Sequence, residues 1–92
     1  MIDGNFDWAK YDTTAPDLSK EDVFSCDCEG TLAGWYYQLC ELAEEIKEFI
    51  EARRFAEIDD DDWFMRASGK VAYLRISSRW VERQMLGLGY SP

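Results

Sequence analysis

Two runs of apolar residues, each stepping by three and four positions, sit on either side of four consecutive aspartates. The first run is Leu32, Trp35, Leu39, Leu42, Ile46, Phe49 and Ala56, with one gap at Arg53. The second is Phe64, Ala67, Val71, Leu74, Val81, Met85 and Leu88, with Ser78 completing the stepping between Leu74 and Val81. Alternating steps of three and four place side chains on one stripe of an α-helix. Tyr36, Cys40, Ala43 and Ile50 widen the first stripe, which suits a globular helical core better than a narrow two-stranded seam. Asp59, Asp60, Asp61 and Asp62 repel one another, and they fit a connecting loop whose last member caps the next helix. The pattern predicts an all-α fold: a hairpin of two long antiparallel helices, about 29–57 and 62–86, within a unit spanning 29–92. Gly30 or Thr31 is expected to open the first helix. Gly87 is expected to close the second, with Leu88 as its hydrophobic follow-on.

A strand pair is the competing reading of part of the second helix. Ser68-Gly69 reads as a turn between strands 63–67 and 70–76, and serine and glycine are poor helix formers. The unbroken stepping through that turn favours the helix.

Residues 1–28 hold no helical period. They read as an N-terminal extended arm whose aromatics (Phe6, Trp8, Tyr11 and Phe24) dock on the helical body. A short helix fits within 16–24, and Thr13 to Asp17 reads as a turn or as the start of that helix with Pro16 in its first turn. Ser19-Lys20-Glu21-Asp22 has the shape of a capping box, with Asp in place of the usual Glu or Gln. Two helices leave apolar surface, which the arm or a homodimer in a four-helix arrangement would cover.

Ninety-two residues make one domain, and several chemistries are excluded by what they lack. With no histidine, neither a Ser-His-Asp nor a Cys-His catalytic unit can be built, nor a histidine-based zinc site. Cys26-Asp27-Cys28 invites a metal reading, but only Cys40 remains to extend it, so no metal and no cofactor is expected. Met1-Ile2-Asp3-Gly4-Asn5 does not read as a secretory leader, and no apolar run approaches membrane-spanning length. The expected setting is the cytoplasm, with free thiols and no membrane partner.

Charge is the most informative feature for function. Acids number 19 and bases 10, for a formal charge of −9. Residues 1–30 carry −6, residues 31–62 carry −7, and residues 63–92 carry +4. The first helix turns Glu41, Glu44, Glu48 and Glu51 away from its apolar stripe, and the aspartate run follows. Like charges at three and four residues mildly destabilise a helix, so stability alone does not account for them. Carboxylates repeating along a rigid rod imitate phosphates, because phosphate-binding proteins read mainly charge and spacing. The expected function is non-catalytic: an acidic inhibitor occupying the basic site of a nucleic-acid-binding protein, without binding nucleic acid itself. Its contact residues would be those four glutamates, Asp59 to Asp62, and Trp63 as an exposed aromatic anchor. In size, acidity and lack of catalytic groups the chain is similar to small phage anti-CRISPR and anti-restriction proteins.

Two alternatives accompany this reading. Glu44-Glu45-Ile46-Lys47-Glu48 has the form E-E-x-x-E, and Glu57-Ile58-Asp59-Asp60 the form E-x-x-D. The pair resembles the metal-binding pattern of the all-α MazG-type nucleotide pyrophosphohydrolases. That resemblance implies carboxylates holding magnesium for nucleoside triphosphate hydrolysis. On helical spacing, however, Glu44 and Glu48 fall opposite the apolar stripe. The other alternative is an anion or nucleotide site on the i, i+4 row Arg75, Arg79 and Arg83, with Tyr73 or Trp80 stacking on a base.

Overall fold

The computed structural model describes residues 8–91. Four helices follow one another: α1 (Trp8–Thr14), α2 (Lys20–Phe24), α3 (Glu29–Phe55) and α4 (Asp61–Gly87). No strand occurs among the described residues. The hairpin α3–α4 is the body, and the molecule measures 45 × 20 × 18 Å. Its long dimension is set by one helix, since 27 residues at ~1.5 Å each span about 40 Å.

The seam is built from the two apolar stripes. Leu32, Leu39, Ala43, Ile46 and Ile50 of α3 are buried with Ala67, Leu74, Val81 and Met85 of α4. Each large side chain so buried stabilises the fold by about 1.5–3 kcal/mol. The α3 stripe differs from the expected one at its C-terminal end. There Phe49 is half-buried, Ala56 is exposed, and Arg53, the expected gap, is buried alongside Ile50. A heptad stripe drifts by ~20° per repeat around a straight helix, and the buried side follows the helix's own period. Arg53 thus occupies a core position, with its guanidinium carbon 3.8 Å from the Trp63 ring centroid. Its Nε has no hydrogen-bond partner among the described residues. The apolar stem and the cation–π contact are what make that position tolerable.

The strand pair within 63–76 does not form. The α4 helix runs unbroken through Ser68 and Gly69, because the apolar stripe on the seam outweighs the poor propensity of two exposed residues. A Cβ built at Gly69 would meet nothing within 4 Å, so packing does not require a glycine there.

Both long helices end in the same motif, and each end is displaced by two residues: α3 stops at Phe55 rather than 57, and Gly89 rather than Gly87 is left-handed. After α4, Tyr90 N–H donates to Met85 O (2.8 Å) and Gly89 N–H to Leu86 O (3.1 Å). This is a Schellman pair, and Gly89 takes the left-handed position (φ 84°), not Gly87, which closes the helix proper. After α3, Ile58 N–H donates to Arg53 O (3.0 Å) and Glu57 N–H to Arg54 O (3.1 Å), with Glu57 at φ 58°. A glutamate there carries the steric cost that glycine avoids. At its start α3 is entered from Cys28 as N-cap, two residues before the expected opening.

The N-terminal segment docks on the body as expected, and α2 lies within the expected 16–24, but α1 is helical where an extended arm was expected. The Ser19–Asp22 capping box forms in both directions, each hydrogen bond being 3.1 Å, so aspartate serves at its last position. The segment follows α4 from its start to its end. Trp8 lies 6.2 Å from Trp63, Lys70 Nζ lies 3.2 Å from Asp12, and Tyr73 O–H donates to Asp17 (3.0 Å). Farther along, Gln84 Nε2 donates to Cys26 O (2.7 Å) and Tyr90 O–H to Asp27 O (2.9 Å). Tyr11 and Val23 are buried, whereas Phe24 is exposed and Phe6 lies outside the described residues. Among the described residues, no helix is long and apolar enough to cross a membrane.

Two substitutions test these backbone assignments. Glu57→Gly relieves the left-handed strain, and Gly69→Ala removes a costly residue from a helix interior. Each is expected to raise the unfolding free energy by about 1 kcal/mol in urea titrations. A loss of stability in either variant contradicts the local conformation described.

Candidate functional site

Successive residues of a helix are rotated by about 100°, so Glu41, Glu44, Glu48 and Glu51 fall within one narrow sector of α3. That sector points away from the seam, and all four side chains are exposed. None of them is in an ion pair among the described residues. Glu45 lies just outside the sector and behaves differently, pairing with Lys10 of α1 at 3.0 Å. This hydrogen bond raises the Lys10 pKa, with a smaller electrostatic push from neighbouring Tyr11. Sequence reasoning missed the ends of the ridge. Tyr37 and Phe55 are 62% and 93% exposed. They extend the glutamate stepping in both directions, as 37, 41, 44, 48, 51, 55, a signal that was present in the spacing.

The aspartate run is divided among three roles. Asp59 is exposed in the loop. The cap of α4 is Asp60 rather than Asp62, with its Oδ1 accepting from Trp63 N–H at 3.2 Å. Asp61 and Asp62 stand exposed in the first turn, where the helix dipole favours them. Trp63 itself is not an exposed anchor. It is 9% exposed, with Arg53 against its ring and Phe64 edge-on at 5.4 Å. The helix rotation explains this: Trp63 lies four residues before Ala67 and shares its seam-facing side.

The remaining sequence patterns are placed as follows. Glu44, Glu48, Glu57 and Asp60 are exposed, and Asp60 is engaged in its cap. No group of three or more Cys, Asp or Glu among the described residues is arranged to hold a metal ion. The ligand set that the pyrophosphohydrolase resemblance implies is therefore not brought together. Arg75, Arg79 and Arg83 are exposed along the outward side of α4, none in an ion pair among the described residues. They flank shallow clefts shared with Ile76 and Trp80. Tyr73 is turned to the N-terminal segment through Asp17, whereas Trp80, under Lys20 (5.6 Å), lines one of these clefts with Arg79 and Arg83. All three cysteines are free thiols. Cys28 is exposed at the α3 N-terminus, where the Thr31 side chain and first-turn N–H groups favour its thiolate and lower its pKa.

Comparison with protein-family models, with curated proteins and with solved structures gave no match.

Two measurements check this geometry. Trp63→Ala is expected to lose about 3 kcal/mol of stability, as a buried aromatic does and a surface anchor does not. Limiting iodoacetamide near neutral pH is expected to label Cys28 ahead of Cys26 and Cys40, read by peptide mass. Preferential labelling of Cys40 contradicts the assignment.

Proposed function

We propose that this protein is a non-catalytic inhibitor that works in the cytoplasm by seating its acidic edge on the basic, nucleic-acid-binding surface of a target protein. The observation that carries the reading is the edge itself: Glu41, Glu44, Glu48 and Glu51 in line on a rigid helix, exposed and unpaired among the described residues. From Glu41 to Glu51 the ridge extends ~15 Å along the axis, and Asp59, Asp61 and Asp62 add exposed carboxylates at its loop end. A surface that reads phosphates by charge and spacing meets the same pattern here. Tyr37 and Phe55 supply the aromatic contacts that Trp63, being buried, does not.

The test uses the immobilised full chain, a lysate, and duplex DNA as competitor. The expected result is a retained nucleic-acid-binding protein that DNA displaces and that added salt weakens. The quadruple variant Glu41→Gln, Glu44→Gln, Glu48→Gln, Glu51→Gln, checked for helicity, is expected to bind that protein at least about tenfold more weakly. Retention indifferent to DNA and to the glutamines overturns the reading, as does retention of nothing basic.

A further inference from the structure

The α3 and α4 helices each present an outward edge, and the two edges are of opposite sign. On α3 the edge is Tyr37, the four glutamates and Phe55. On α4 it runs through Met65, Ala72, Ile76, Arg79, Arg83 and Leu86, with Arg75 and the half-buried Glu82 beside it and Asp61 at its start, so its middle is basic. Met65 is 75% exposed, and Ile76 and Leu86 are about half exposed. Both edges point away from the seam and hence away from each other, so the α4 edge is not neutralised within its own molecule. Both also step by three and four, which is the spacing that lets one helix pack along another.

We propose that the α4 edge docks on the α3 edge of a second copy of this chain. The registers match. When the midpoint of the glutamate run faces Arg79, Tyr37 and Phe55 each lie nine residues away. One aromatic then falls beside the exposed Leu86 and Leu88, and the other level with Lys70, two residues beyond the exposed Ala72. Charge meets charge in the middle, and apolar side chains meet at the Leu86 end. The contact is heterologous, because each copy offers one edge of each kind on opposite sides, so it propagates into short open chains. A single helix-on-helix contact is small, so the association is weak, with a Kd of about 0.1–1 mM.

The net charge of −9 opposes this approach and sets its salt dependence. Repulsion between whole molecules acts over the Debye length, ~30 Å at 0.01 M salt, and is largely screened near 0.15 M (~8 Å). The close Arg–Glu contacts survive that screening and weaken only toward 1 M, where the length is ~3 Å. Association is therefore strongest at intermediate salt.

The association needs no target, so its failure leaves the inhibitor reading standing, and failure of that reading leaves this one. The test is sedimentation of the full chain over a concentration series at those three salts. The expected result is an average mass rising above the 10.7 kDa monomer, most steeply near 0.15 M. One variant removes each edge: Arg79→Gln with Arg83→Gln, and Glu44→Gln with Glu48→Gln. Each alone is expected to stay monomeric. Their equimolar mixture retains one native contact per pair, so it is expected to associate and to stop at dimers. A strictly monomeric wild type, association surviving in either variant, or no dimers in the mixture overturns the proposal.

Discussion

The burial of one stripe of α3 against one stripe of α4 is the constraint from which the rest follows. Two helices of 27 residues each have little else to hold them, and their seam contains most of the fully buried side chains. Once those stripes face each other, every remaining residue of the hairpin is assigned a direction. The glutamates turn outward on one edge and the arginines on the other. The side chains flanking the seam on one face meet the N-terminal segment. The electrostatic character of the surface is thus a by-product of which residues are apolar.

Arg53 shows how that constraint tolerates an exception. A cation in a seam is costly unless its charge is engaged. Here the guanidinium lies against Trp63 at the start of α4, close to the loop that joins the helices. The same Trp63 takes Trp8 and Phe64 as neighbours, so one aromatic joins α1, α3 and α4 at the loop end of the molecule. The opposite end is tied by hydrogen bonds instead, from Gln84 and Tyr90 to the backbone between α2 and α3.

The hairpin was legible because its signal is periodic and long. A stripe sustained over seven apolar positions outweighs local propensity, which is why Ser68 and Gly69 did not break α4. The outward placement of Glu41, Glu44, Glu48 and Glu51 was legible for the same reason. What escaped was set by short-range geometry or by three-dimensional neighbours. Trp8–Thr14 is two turns long and carries too few apolar residues to show a period, so its helicity depends on docking. Glu57 and Gly89 take left-handed conformations that position along the chain, rather than composition, selects. Trp63 looked exposed because it follows four aspartates, yet rotation about the helix turns it inward.

The path of the N-terminal segment along α4 has a kinetic consequence. The α3–α4 seam joins neighbours in sequence through a short turn, and such contacts close a small loop. The segment's hydrogen bonds to α4 join residues 56 to 63 positions apart, as in Tyr73–Asp17, Gln84–Cys26 and Tyr90–Asp27. Their loop-closure entropy is compensated only once the hairpin has removed most of the slack between them. The order of assembly therefore runs opposite to the order of the chain. The segment that precedes the hairpin is the last to find its place, and until α4 exists it lacks most of the surface it lies on.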